Sequence, residues 1–546
     1  MTRDPSQLAN QTFDLLVIGG GIIGAGIIWD ASLRGLSCAL VEQGDFASGT
    51  SSKTTKLIHG GIRYLESFDF KLVRQAIRER QILLKLAPGL VKPLPFLIPV
   101  IGNSPRPWPL VKLGVTLYDW MAGRSLRHGS GQASIQPHRF LNRQQVAQME
   151  PLLSQLPLER GALYHDAQME DARLVLEVLK IAHEHGAKIT NHCSVVRFLS
   201  EKGHLSGALV EDRLDNKRYE ARAKLLINAT GPWVDRLRQM ASPGIQPIVR
   251  PSKGIHLVYP DLGLKHALLL SSARDQRIFF LIPWKGLTLI GTTDTDYQAD
   301  PGQVTPNSEE VNYLIEETNR ALPQLKLQKE KVISTFAGVR PLVLKEKKDP
   351  WAVSRMHLIH EDPHGLVSIV GGKFTTFRQI AQEVVDRVSR RFPEKRLSPC
   401  KTAQTPLGPL ASNWRTQEIP SLLKDLIQQG SIYPPGVSHL IQHYGVRAKP
   451  ILEWIQADRR LADPLCPHHP FIKAEVRYAA QKEMALSLSD LFWRRLGIGW
   501  SACQGLDALE SAAQVMAENL GWSTAELERQ KGRYQEEVAA SRQALS

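Results

Sequence analysis

An α/β domain wound around a parallel sheet, with an antiparallel sheet inserted and an all-helical region appended, is the fold class this sequence predicts. Three observations predict it. A short apolar run, Phe13 to Ile18, leads through Gly19-Gly20-Gly21 into a helix-spaced stretch, Ile22 to Leu33, and on to a second apolar run, Ser37 to Glu42, which is a βαβ opening. Between about Ile245 and Gly291 the runs IHLVY, IFFLIPW and LTLIGTT recur as an antiparallel layer requires. Beyond Pro393 no strand-like run follows: the pattern is irregular to about Pro409 and then helical to the end, which places a domain boundary near residue 395.

The elements between these landmarks follow the same logic. Phe70 to Leu86 carries the spacing of an amphipathic helix and is ended by Pro88 and Gly89. Val91 to Arg124, rich in Pro, Trp and aliphatic residues with Lys92, Arg106, Lys112 and Arg124 interleaved, reads as a loop and short-helix insertion. Asp171 to His185 reads as a helix, and Lys188 to Phe198, Leu205 to Glu211 and Lys224 to Asn228 read as strands. Leu366 to Val370 is a buried strand entering Gly371-Gly372 and a helix, Thr375 to Arg391.

Composition bounds the function. At 546 residues the chain exceeds what one core serves, so two or three domains are expected. A net charge of +14 favours anionic partners: a phosphorylated substrate, an acidic lipid surface or nucleic acid. The basic residues are scattered instead of forming a tail, so no nucleic acid is expected. Five cysteines, Cys38, Cys193, Cys400, Cys466 and Cys503, form no CxxC pair, which predicts a reducing compartment and no metal. Met1 to Asp14 has no apolar signal core, and no apolar run reaches the length of a membrane span. A cytoplasmic chain with at most peripheral membrane contact follows as the expectation.

Gly19-x-Gly21-x-x-Gly24 stands after an apolar strand and opens a helix, where backbone N–H groups and the positive helix end can face a pyrophosphate. Glu42, at the end of the second strand, can accept both ribose hydroxyls. This much suits NAD or FAD. Two downstream elements favour FAD: Ala229-Thr230-Gly231 after a strand, and Gly371-Gly372-Lys373 between a strand and a helix. A helix N-terminus there can stabilise the charge that develops on a reduced flavin.

The stretch His59-Gly60-Gly61-Ile62-Arg63-Tyr64-Leu65-Glu66, preceded by Thr50-Ser51-Ser52 and Lys56-Leu57-Ile58, closely resembles the FAD-dependent, quinone-reducing glycerol-3-phosphate dehydrogenases. The likeness continues through Asn228-Ala229-Thr230-Gly231-Pro232-Trp233, Gly338-Val339-Arg340-Pro341-Leu342, Gly371-Gly372-Lys373-Phe374-Thr375-Thr376 and Asp490-Leu491-Phe492-Trp493-Arg494-Arg495, so it covers nearly the whole chain. It implies a glutathione-reductase/D-amino-acid-oxidase-like Rossmann-type domain in pieces, about 11–90, 160–240 and 350–392. A β-sheet substrate domain would occupy about 91–160 and 240–350 within residues 1–395, with a helical domain over 396–546. It also implies oxidation of sn-glycerol 3-phosphate to dihydroxyacetone phosphate, with electrons leaving reduced FAD for quinone. Thr50, Ser51, Ser52, Lys56, Leu57, His59, Ala229, Gly231, Lys373, Phe374 and Thr375 would join Gly19, Gly21, Gly24 and Glu42 in holding FAD. One departure stands out: Ile255 precedes His256 where the family usually has Ser, which counts against a role for His256.

The chemistry selects residues within that pattern. A phosphate dianion calls for planar, permanently charged donors, and Arg63, Arg340 and Arg355 stand at family-matching positions, with Tyr64 beside them. Oxidation at C2 needs a base for the hydroxyl proton; His59 is the first choice and Lys373 the second, and Arg340 completes the catalytic set. Tyr64 and Glu66 could bond substrate or fix His59 and Arg63. Because quinone resides in the bilayer, Val91 to Arg124 is expected to touch the membrane through Leu94, Phe96 and Leu97. Glu475 to Arg495 is expected to form a helical cap or a homodimer element. The competing reading is an oxidase that passes the same electrons to O2.

Overall fold

The computed structural model describes residues 1–102, 105–123, 135–344, 357–408 and 434–545, together with Lys424 and Ile427. Its first sheet runs His357–Glu361, Leu366–Gly371, Arg218–Asn228, Phe13–Ile18, Cys38–Val41, Lys188–Thr190. The last five of these strands are parallel; His357–Glu361 closes one edge antiparallel. Phe13–Ile18 is buried at every position because both faces of the sheet are covered, Leu15 and Val17 by helices and Phe13, Leu16 and Ile18 by the strands Cys193–Glu201 and His204–Asp212, which is why it reads as a continuous apolar run. The helices Ile22–Arg34, Asp171–Glu184 and Phe377–Ser389 pack on it around Trp29, Phe377 and Leu179. Two residues interrupt the span expected as one strand from Lys188 to Phe198. A left-handed His192 splits it, so that Lys188–Thr190 joins the parallel sheet while Cys193–Glu201 turns into a hairpin with His204–Asp212.

The second sheet has ten strands, nearly all antiparallel. Val249–Pro260 is its spine, pairing with Leu287–Gly291 on one side and Ser334–Val343 on the other. The insertion expected as loop and short helices is instead an eleven-residue strand, Val91–Ile101, and a fifteen-residue helix, Trp108–Ala122. Three prolines in the strand hid it, but all its pairing to Leu158–Met169 survives through the remaining residues. Leu94, Phe96 and Leu97 are consequently 8%, 1% and 0% exposed, so the membrane contact assigned to them is withdrawn: their side chains fill the sheet's own core.

The described residues beyond residue 434 form helices, including Pro434–Tyr444, Lys449–Ala457, Lys473–Lys482, Leu509–Leu520 and Thr524–Ala540. Several charges of this region turn inward. Arg495 is fully buried, donating to Asp45 at 2.8 Å and to the carbonyl of Glu483, while Arg494 reaches Asp45 and Asp490. Arg173 and Lys180 of the α/β domain both meet Glu483. Such buried pairs have little net value against well-packed apolar residues, but removing one partner strands a charge, so they fix one docking geometry.

Candidate active site

The strand Phe13–Ile18 ends at Gly19, whose φ of +111° lies in the left-handed region that suits glycine. A Cβ on Gly24 would sit 1.9 Å from the Gly19 carbonyl, so only glycine lets the helix Ile22–Arg34 start this close to the strand. The first turn of that helix then opens on a groove, with Ser51 Oγ accepting the Ile22 N–H at 2.9 Å. The Glu42 carboxylate is buried at the second strand's end, accepting N–H bonds from Gly20 and Gly44 at 2.6 and 2.9 Å. Burial pushes its pKa up, and those two bonds oppose the rise.

This groove is one end of a continuous cavity of about 1180 Å³ between the two sheets. Gly19, Gly21, Glu42, Thr50, Ser51, Leu57, Ala229 and Gly231 line it, as do Lys373, Phe374 and Thr375 at the turn that leads into the helix Phe377–Ser389. An FAD suits these residues. The glycine turn and helix end would face its pyrophosphate, Glu42 would hold its ribose, and the Phe374–Thr376 turn would meet the edge of the flavin where reduction puts charge. Gly24, Ser52 and Lys56 do not line the cavity. Gly24 acts through packing, and the Lys56 ammonium is consumed by Asp171 at 2.8 Å and the Ser52 carbonyl at 2.7 Å, which shapes the segment behind the flavin groove.

At the other end, cations converge. Arg63 donates to the Tyr64 hydroxyl at 3.0 Å, and Lys373 Nζ lies 3.8 Å from the centre of the Tyr64 ring. Arg340 enters from Ser334–Val343, bonding Thr292 Oγ1 at 3.1 Å and Asp294 at 3.2 Å. Its guanidinium lies over Gly254, where a Cβ would approach it to 2.3 Å, so the glycine in the neighbouring strand is what admits it. Asp294 is the ion partner of Arg340 and a bond partner of Ser252. Glu66 turns away to the surface and pairs with Arg106. Arg355 lies outside the described residues.

His59 lines the cavity among these charges, and its backbone N–H donates to Thr375 Oγ1 at 3.2 Å. Burial first, then Lys373, Arg63 and Arg80, push its pKa down to about 3. The ring is therefore neutral at physiological pH and a weak base beside those cations; a bound dianion would offset them and raise its basicity. The next residue is anchored from behind: the Gly60 N–H donates to the Tyr118 hydroxyl at 2.8 Å and to Asp166 at 3.2 Å, and Asp166 is itself paired with buried Arg80. The sequence offers no signal for this Arg80–Tyr118–Asp166 group, whose members come from three distant elements.

His256, discounted in the sequence for its Ile255 neighbour, also lines the cavity. It is 2% exposed, stacks on Phe336 at 4.9 Å, and shares a hydrogen bond of 2.9 Å with Thr55, while its Nδ1 has no partner among the described residues. Burial and Arg340 hold its pKa well below the usual value. Strand alternation was the available signal, since Ser252, Gly254 and His256 pair with Arg340, Gly338 and Phe336 along one face.

A dinucleotide groove joined to a cation-lined pocket under an antiparallel sheet defines the class: a flavin-dependent oxidoreductase. The profile of FAD dependent oxidoreductases matches residues 14–387, and that of the C-terminal domain of alpha-glycerophosphate oxidase matches residues 400–527. A glycerol-3-phosphate dehydrogenase of Synechocystis is 36% identical, covering 98% of both chains. An aerobic glycerol-3-phosphate dehydrogenase of Staphylococcus haemolyticus is 35% identical over 90% of this chain and 87% of its own. The crystal structure of a Bacillus halodurans glycerol-3-phosphate dehydrogenase complexed with FAD superposes with a TM-score of 0.79 at 29% identity, covering 99% of this chain and 97% of that one. The chain belongs to the family of FAD-dependent glycerol-3-phosphate dehydrogenases.

Proposed function

We propose that this enzyme oxidises sn-glycerol 3-phosphate to dihydroxyacetone phosphate and passes the two electrons to a quinone. The observation that carries the reading is the convergence of Arg63 and Lys373 around a neutral His59, in the same cavity as Arg340 and the flavin groove. The cations draw in a phosphate dianion and fix its orientation, with Arg340 as the planar fork and Asp294 holding that fork in place. Tyr64, braced by Arg63 and Lys373, narrows the pocket to a small phosphoester. His59 accepts the C2 hydroxyl proton, and Lys373 stabilises the oxygen as it becomes a carbonyl. The flavin, when bound, supplies the hydride acceptor. The sum balances as glycerol 3-phosphate plus quinone giving dihydroxyacetone phosphate plus quinol.

A peripheral membrane position supports quinone as acceptor. Among the described residues no helix is long and apolar enough to cross a membrane. The helix Trp108–Ala122 nevertheless exposes Leu113 at 66% and Trp120 at 77%, and it packs beside the turn that ends in Phe68, also 77% exposed. Lys71, Arg74 and Lys112 are exposed on the same helix pair, the mixture an anionic bilayer surface attracts.

Anaerobic mixing of the yellow enzyme with glycerol 3-phosphate tests the chemistry: bleaching of the flavin absorbance is expected, and persistent colour refutes it. Peroxide released in air at the rate of substrate oxidation would replace the dehydrogenase reading with that of an O2-using oxidase. Pelleting with anionic vesicles, lost on replacing Leu113 and Trp120 with Ser, tests the membrane contact.

A further inference from the structure

Outside the active-site cavity, two turns of the C-terminal region bring cysteine and histidine side chains together. Residues 464–472 form a tight loop: the Leu465 N–H donates to the Phe471 carbonyl at 2.9 Å, and Pro464 pairs with Ile472 as an antiparallel bridge. The tip of this loop is Cys466-Pro467-His468-His469, and the loop leads into the helix Lys473–Lys482. A second turn, residues 501–508, carries Cys503 and leads into the helix Leu509–Leu520, which packs against the first.

Cys503 Sγ lies 3.6 Å from His469 Nε2, with Ser501 Oγ 3.4 Å from the same sulfur. A zinc ion bonded at about 2.3 Å to sulfur and about 2.0–2.1 Å to nitrogen, at a tetrahedral angle, sets those two atoms about 3.6 Å apart, so the pair stands at ligand spacing. Cys466 precedes His469 with two residues between them, an interval at which one turn delivers two ligands to one ion. The sequence argued against a metal because no CxxC pair occurs; here the spacing is Cys-x-x-His, and the second cysteine arrives from a distant turn. Cys466 is 5% exposed, and Cys503 and Asp507 both act on its thiol. Burial raises the pKa of that thiol, whereas the backbone N–H groups of His468 and His469 favour its thiolate. Asp507 also acts on His469 and stands 3.8 Å from His468 Nε2; both of these outer side chains are exposed and free to rotate onto the pair.

A different grouping of ligand-type residues, Asp45, His192 and Asp490, offers a contrast. Arg494 and Arg495 already neutralise its carboxylates, so a cation there would meet two guanidinium groups. Among the described residues no lysine or arginine charge acts on His469.

We propose that Cys466, His469 and Cys503 bind one zinc ion, with the Asp507 carboxylate closing the set, and that the ion staples the two turns together. Thiolate with imidazole is a donor set that selects zinc over calcium or magnesium. Binding replaces the two thiol protons with metal bonds, so protons are released and affinity falls as pH drops. Four protein ligands leave no open position, and none of the four residues lines the active-site cavity, so the role is structural.

The holoenzyme, stripped with EDTA and freed of chelator, is dialysed against Zn2+ and its bound metal read by elemental analysis. About one zinc per chain is expected, and Co2+ in its place should give a thiolate charge-transfer band in the difference spectrum against metal-free holoenzyme. Cys466→Ser, Cys503→Ser and His469→Gln should each weaken zinc binding at least about tenfold, and the two serine variants should lose intensity in the cobalt band. FAD content and flavin reduction by glycerol 3-phosphate should stay within about twofold of wild type. Zinc should raise the Tm of wild type and leave that of Cys503→Ser unchanged. Wild-type holoenzyme that takes up no saturable zinc would overturn the site, as would equal zinc in wild type and all three variants. A Cys466–Cys503 disulfide, seen as two thiols that alkylate in the unfolded chain only after reduction, would also overturn it. Cys466 is buried, so should Cys466→Ser emerge without flavin, Cys503→Ser and His469→Gln decide.

Discussion

The nucleotide groove and the substrate pocket, two ends of one cavity, are built by opposite means. The groove is founded on backbone from one stretch, Gly19 to Ser51, and the shape of that stretch depends on side chains that are absent at Gly19 and Gly24. The pocket is made of polar side chains delivered by separate segments: His59 and Arg63, His256, Arg340 and Lys373. Its members repel one another and are held by partners such as Asp294 and the Arg80–Asp166 pair. The lesson is that the groove should fail all at once, while the pocket should fail one contact at a time.

The largest expected effect tests the first half of that contrast. Gly24→Val places branched carbon where Gly19 O already stands 1.9 Å from the Cβ position, so helix and strand must part. Purified protein should carry no flavin, and a yellow, stoichiometrically loaded variant would break the account of the groove. In the pocket, His59→Asn should keep FAD and slow flavin reduction at saturating substrate by about 10²–10⁴-fold, the range for a general base, read by stopped-flow absorbance. A smaller change, with Lys373→Met producing the larger loss, would move the base assignment to Lys373.

Arg340→Ala should cost about 1.5–3 kcal/mol of substrate binding, about 10- to 150-fold in KM, with FAD retained. Arg340→Lys should recover only part, because an ammonium lacks the planar fork. Unchanged KM in both would remove Arg340 from the phosphate site.

The smallest effect is a pH dependence of stability. His59 is held neutral in the fold, with its pKa near 3 against about 6.5 unfolded. Between those values the unfolded chain binds the extra proton, so the contribution falls as pH drops below about 6.5, by at most about 1.4 kcal/mol per pH unit. His256, shifted the same way, adds to it. Thermal unfolding from pH 7 to pH 5 should therefore show a shallower loss in His59→Gln than in wild type; parallel curves would mean that His59 is already charged in the folded enzyme.

Local pattern carried the groove into view. The helix Phe70–Leu86 and the strand Phe13–Ile18 stand where their periodicity put them, because each element's burial is written in consecutive residues. Val91–Ile101 was missed because its prolines argue against a strand, and the pairing that overrides them comes from residues 158–169. His256 was set aside on its neighbour in the chain, whereas its neighbour in space, Phe336, is what turns it toward the cavity.

By itself the sequence determined the βαβ opening, the glycine turn, Glu42 and the motif that contains His59 and Arg63. Each is a statement about residues near one another in the chain, where backbone sterics and strand or helix period act directly. The tertiary structure decided which groups meet: that Lys56 pairs with Asp171, that Glu66 leaves for Arg106, and that His256 stacks on Phe336 beside the cavity. Those outcomes depend on distances between segments that are far apart in the chain, 115 residues for Lys56 and Asp171, and only packing sets them.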